Sequence, residues 1–247
     1  MISKENFESL FLRFNVILGQ YLNSPVGIKD IPRSIIHTSL VSSWLMKEIK
    51  KLADDVGDEY GIIINSGTAH EMLSNIYLVL FDNVKETQKV QAILEFYGGP
   101  PSGVAGKYFN KVLKAVKNEF LNKNITIIPV CSISDGTYRH EWSDIDCMLV
   151  IPEQLMGPSG LYQLQPIIRK FVASFSLIDP LQGHGVFVIT PLHLKYFSES
   201  FMPMVVLETG YVWPQKNRSI SIDIISRNDC TTNISFKLFS RSCFKRI

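Results

Sequence analysis

Long apolar runs are missing from this chain of 247 residues, and none approaches the roughly 18 consecutive apolar residues that a bilayer-crossing helix needs. A secretory leader is not expected either, because Met1-Ile2-Ser3-Lys4-Glu5-Asn6 brings in an acid early and no basic segment precedes an apolar core. Cysteine is sparse: Cys131, Cys147, Cys230 and Cys243 stand far apart, with no C-x-x-C pair and no disulfide framework. Free thiols in a reducing cytoplasm are the expectation. No sign of charge dominates, since the formal net charge is +2 and charged residues make up 19% of the chain. That balance does not by itself mark a nucleic-acid binder. What is present is a hydrophobic content of 46%, enough for a sizeable core in one large or two modest domains.

Residues 1 to about 120 read as mainly helical. Phe7, Leu10, Phe11, Phe14 and Ile17 recur at helical spacing between Glu5 and Tyr21, with Ser3 as a candidate cap. Ser24-Pro25-Val26-Gly27 breaks the chain, and a second helix is predicted from about Ile35 to Ala53. The acidic cluster 54–59 lacks the remaining ligands of a calcium loop and reads as a turn. Gly61-Ile62-Ile63-Ile64 fits a short strand or a helix entry. Helices are then predicted over Thr68–Phe81 and Lys85–Phe96. His70 lacks a second histidine four residues on, so no zinc helix is implied.

The segment 98–107 imitates a phosphate-binding loop and fails on two counts. Pro101 stands where the loop needs its first glycine, and Tyr108 replaces the hydroxyl that would hold magnesium. It reads as a linker ahead of a helix over Lys107–Phe120, dividing the chain into a helical region 1–105 and a second domain 106–247. Beyond it the pattern changes to short apolar runs bounded by glycine and proline.

Within that second region, Ser143-Asp144-Ile145-Asp146 leads into the apolar run Cys147–Ile151. On an extended chain Asp144 and Asp146 share a face while Ile145 takes the other. Two adjacent carboxylates repel unless a cation lies between them, which suits a hard divalent ion such as magnesium. Ahead of the motif, Ile125–Val130 reads as a strand and ends on the turn Cys131-Ser132-Ile133-Ser134-Asp135-Gly136. Leu161–Phe175 reads as a helix and Gly185–Ile189 as a third strand; Phe197–Val212 reads as a helix or cover over the sheet, and Arg218–Ile225 as a last strand centred on Asp223. The basic end, Ser240–Ile247, reads as a frayed tail.

Together these motifs resemble the signature of the nucleotidyltransferase superfamily, which includes DNA polymerase beta and the minimal nucleotidyltransferases. In that pattern an apolar strand ends in Gly-Ser, a second glycine follows, and Ser-Asp-x-Asp opens the next strand. Here Cys131-Ser132 stands in place of Gly-Ser, Gly136 is the second glycine, and Ser143-Asp144-Ile145-Asp146 is the metal motif. The resemblance covers roughly residues 120 to 230. It implies an α+β fold, a mixed sheet with flanking helices, in the strand order strand, strand, helix, strand.

The resemblance also implies a two-metal nucleotidyl transfer from a nucleoside triphosphate, with ATP favoured, to a hydroxyl of a small molecule or protein, RNA being a further acceptor. Asp144, Asp146 and Asp223 would be catalytic and hold Mg2+ or Mn2+, with Asp179 and Glu208 as weaker competitors for the third place. Ser132, Gly136 and Ser143 would receive the nucleotide. Arg139, Lys195, Lys216 and Arg218 lie near enough in sequence to neutralise phosphate. The departure at Cys131 puts a side chain where the family's glycine lets backbone approach phosphate. It leaves open a catalytically silent relative that binds nucleotide or protein.

Overall fold

The first three helices form because each carries one apolar face that the others bury. The computed structural model describes residues 3–23, 43–84, 89–139, 143, 145–176, 185–197, 204–214 and 219–225, with backbone alone at 4 and over 89–95, 204–205 and 219–225. Helix α1, Lys4–Asn23, packs on α2, Ser43–Tyr60, and on α3, Ala69–Asp82. Phe11, Phe14, Leu18 and Leu22 of α1 meet Ile49, Leu52 and Val56 of α2 and Leu73, Ile76 and Leu80 of α3 in one buried cluster. Each such side chain contributes about 1.5–3 kcal/mol when removed from water.

Helix α2 runs through the acidic cluster 54–59, which is therefore helix and not a turn. The stop comes later, at Gly61, whose φ of +66° suits glycine, and the Ile62 amide closes back on the Gly57 carbonyl at 2.9 Å. Residues 62–66 form neither strand nor helix. Thr68 caps α3 by accepting from the Glu71 amide, while its hydroxyl donates to the Glu71 carboxylate at 2.7 Å. Two hydroxyl hydrogen bonds, from Ser66 and Thr68, hold that carboxyl below its usual range.

Strand β1, Lys89–Glu95, stands where a helix was predicted, and pairs antiparallel with β5, Ser219–Ile225. The segment is short enough for its alternating Val90, Ala92 and Leu94 to serve a strand, and a partner 130 residues away decides the outcome. Helix α4, Gly103–Asn122, begins four residues earlier than predicted.

The remaining elements build a small mixed sheet. Strand β2, Thr126–Pro129, pairs antiparallel with β3, Cys147–Val150, and β3 pairs parallel with β4, Phe187–Ile189. A single helical turn, α5, Ser132–Asp135, joins β2 to the loop before β3. Helix α6, Pro158–Ser176, makes the crossover to β4 and packs on α1, α3 and α4. Short helices α7, Pro191–Lys195, and α8, Met204–Glu208, follow. The chain is thus mixed α+β, mostly helical with a small three-stranded mixed sheet. Among the described residues no helix is long and apolar enough to cross a membrane.

The sheet separates two apolar clusters. Ile127, Cys147, Leu149 and Val188 face the large helical core, whereas Ile128, Met148 and Ile189 face a smaller one closed by Phe96, Phe197, Leu207 and Val212. Of the segment expected as a cover, 197 and 206–212 are described with side chains, and Phe197, Leu207 and Val212 close the smaller cluster on this face of the sheet.

Candidate functional site

The candidate site begins where β2 ends. The amide of Val130 donates to the carbonyl of Asp146 at 3.0 Å, which extends the β2–β3 pairing by one rung and sets the following turn beside the head of β3. Ile145 and Cys147 are buried in the large core, so strand alternation puts Asp146 on the opposite face with Met148. Cys131 packs against the smaller cluster on that same face. The electrostatics agree: burial, then the carboxylates of Asp146 and Asp135, push the Cys131 thiol above its ordinary value. Burial and Asp146 push the wholly buried Cys147 thiol up as well.

Cys131 has φ +56° and ψ −140°, a backbone region suited to glycine and sparsely used by other residues. Holding a side chain there costs about 1–3 kcal/mol and persists only when surrounding contacts enforce it. Those contacts are present. The Cys131 amide donates to Oγ1 of Thr209 at 3.1 Å, and its carbonyl accepts from the amides of Ser134 and Asp135, each at 3.0 Å. The Ser134 hydroxyl donates to the Thr209 carbonyl at 2.6 Å. Gly136 closes the turn in the left-handed region at φ +84°.

Two glycines let a second chain segment reach this turn. The Gly98 amide donates to the Gly210 carbonyl at 3.1 Å, and the Gly99 amide to the Ser134 carbonyl at 3.0 Å. A Cβ on Gly98 would lie 2.2 Å from the Thr209 carbonyl oxygen, and one on Gly210 would lie 2.4 Å from Cγ2 of Ile128. The stretch read as an interdomain linker therefore supports the site. Thr209, Gly98 and Gly210 carried no motif in the sequence, because their partners are distant along the chain.

The other expected residues are placed as follows. Ser132 opens α5 and is half-buried. Ser143 braces the loop before the acidic motif: its amide donates to the Arg139 carbonyl at 2.9 Å and its hydroxyl accepts from the Arg139 amide at 3.0 Å. Asp144 lies outside the described residues, as do Asp179, Lys216, Arg218 and the tail 240–247. Asp223 occupies the middle of β5 opposite Gln91, so its strand joins β1 and not the sheet that β3 belongs to. Glu208 ends α8 immediately before Thr209, its carbonyl accepts from the Tyr97 amide at 2.8 Å, and burial raises its carboxyl pKa. Lys195 is committed elsewhere, donating to the Phe81 carbonyl at 2.9 Å and lying over that ring.

Among the described residues, no three His, Cys, Asp or Glu side chains converge as a metal cluster, a set that includes neither Asp144 nor the side chain of Asp223. Chemically, the arrangement offers a carboxylate at the head of a strand beside a hydrogen-bonded turn whose first and last residues have positive φ. Comparison with protein-family models, curated proteins and solved structures finds no match to this chain.

Proposed function

We propose that this chain is a metal-dependent nucleotidyltransferase, moving a nucleoside monophosphate from a triphosphate, ATP favoured, to a hydroxyl of a small molecule or protein. The observation that carries this reading is the pinning of a glycine-type turn, Cys131–Gly136, against Asp146 at the start of the adjacent antiparallel strand. The order β2, α5, β3, α6, β4 supports it too, because strand, strand, helix, strand is what the sequence resemblance implies.

In this reading Asp144 and Asp146 are the hard oxygen donors, and their spacing suits Mg2+ or Mn2+. The bound ions would supply neutralisation of the entering and leaving oxygens at the α-phosphate. Ser132 and the loop braced by Ser143 would receive the β- and γ-phosphates. The acceptor hydroxyl would lose its proton to solvent as its oxygen bonds to the α-phosphorus, and the bridge to the β-phosphate would break with its electron pair leaving on pyrophosphate. Asp223 is the third carboxylate by resemblance; Glu208, laid against the turn through Thr209, is its rival on placement.

A second reading is favoured by one observation, the cysteine in a backbone conformation suited to glycine. A silent relative would bind metal and nucleotide yet release nothing. The test is to incubate the protein with each α-labelled triphosphate and Mg2+ or Mn2+, with small-molecule, protein and RNA acceptors. Labelled acceptor with pyrophosphate supports transfer. Binding without pyrophosphate selects the silent relative that binds nucleotide, and neither binding nor release overturns both nucleotide readings and leaves the silent relative that binds protein.

A further inference from the structure

We propose that Thr209 is a positioning residue that holds the Cys131 turn in the shape that receives a triphosphate, an inference resting on the nucleotidyltransferase reading. Its hydroxyl proton goes to the Val206 carbonyl at 2.7 Å, so the Oγ1 lone pairs remain for the Cys131 amide at 3.1 Å. A hydroxyl has one proton, and spending it on Val206 makes Thr209 a fixed acceptor toward Cys131. Its carbonyl takes the Ser134 hydroxyl at 2.6 Å, on the far side of the same turn. One residue thereby grips the turn at its first amide and at the side chain of its fourth residue.

The grip is itself anchored. The carbonyl of Gly210 accepts from Gly98, and the absence of a side chain at Gly98 lets residues 209–210 lie against it. Thr209 is half-buried and meets the turn through hydrogen bonds of both its hydroxyl and its carbonyl. Its role is therefore polar and conformational. A non-glycine residue at φ +56° relaxes toward ordinary backbone unless something holds it, and the amide that Thr209 holds is the one whose rotation defines that φ. Relaxation would move the Ser132 amide and hydroxyl away from any phosphate between the turn and Asp146.

The test compares Thr209→Val, which keeps the shape and loses the acceptor, with Thr209→Ser, which keeps the acceptor. Thr209→Val should raise KM for magnesium ATP about tenfold while kcat changes little, the loss expected for one hydrogen bond to a preorganised binding turn. Thr209→Ser should match the wild type. Adding Cys131→Gly to Thr209→Val should restore KM, since glycine holds that backbone shape without a clamp.

An unchanged KM in Thr209→Val, or no rescue by Cys131→Gly, overturns the inference. Should Thr209→Val fail to fold, a double variant that folds and binds magnesium ATP supports the clamp. A double variant that still fails to fold reduces Thr209 to a stability element and overturns it. Wild-type protein without affinity for magnesium ATP overturns the nucleotidyltransferase reading and the phosphate role together, whereas wild-type binding with an unaffected Thr209→Val overturns the clamp alone.

Discussion

The Val130 amide and the Asp146 carbonyl, 3.0 Å apart, join the last residue of one strand extension to the first of the next. That single rung brings a turn and a carboxylate together from positions 16 residues apart in the chain. Because the Asp146 charge helps raise the Cys131 thiol, Asp146→Asn should lower that thiol's pKa. Alkylation rate against pH, with the modified site located by mass spectrometry, reads this without reference to catalysis. An unmoved profile would separate the two residues.

Cys131→Gly should stabilise the protein. Relief of left-handed strain is worth about 1–3 kcal/mol, against roughly 0.5–1 kcal/mol for the extra freedom of glycine in the unfolded chain. Urea unfolding should show a higher midpoint with an unchanged slope. Cys131→Val, which adds a branch at the same backbone, should move the midpoint the other way.

Gly98→Ala should destabilise, because its Cβ would sit 2.2 Å from a backbone oxygen of Thr209 that cannot swing aside. A penalty of about 1–3 kcal/mol is expected for such overpacking. Gly136→Ala has open space around it and meets only the cost of its φ of +84°. Differential scanning calorimetry should show a fall in Tm for both variants, from a backbone contact in Gly98→Ala and from backbone strain alone in Gly136→Ala.

Acid should weaken the fold through His193. Its Nδ1 accepts the Thr190 amide at 3.0 Å, and burial lowers its pKa from 6.5 to about 3. The folded state holds this ring neutral while the unfolded state protonates it, so the unfolded state binds more protons between those values. Stability contributed by the neutral ring is full above pH 6.5 and is lost as pH falls toward about 3, with a slope of up to about 1.4 kcal/mol per pH unit. His193→Gln should flatten the pH dependence of the urea midpoint over that window. A wild-type midpoint that stays level from pH 7 to 4 would contradict it.

Local periodicity made much of this fold legible. Helices α1, α3 and α6 and strands β2, β3 and β4 all stand where short-range pattern placed them, because each has a face whose burial its own spacing announces. Strand β1 was not legible, since Lys89–Glu95 becomes a strand only on meeting β5. Helix α2 overran its expected end because acidic residues on an exposed face do not stop a helix, whereas Gly61 does. At the candidate site, Ser132, Gly136, Ser143 and Asp146 were marked by motif. Thr209 and Gly98 were not, because a clamp assembled from segments some 75 and 110 residues apart leaves no trace in spacing.

The decisive comparison is pyrophosphate release from ATP and magnesium by wild-type protein and by Asp146→Asn, both checked for an intact fold by circular dichroism. Release by the wild type and loss of about a thousandfold or more in the variant is the expected result, since a carboxylate proposed to hold the metal would, when removed, withdraw the charge stabilisation of the transition state. Equal release by the two proteins would contradict it.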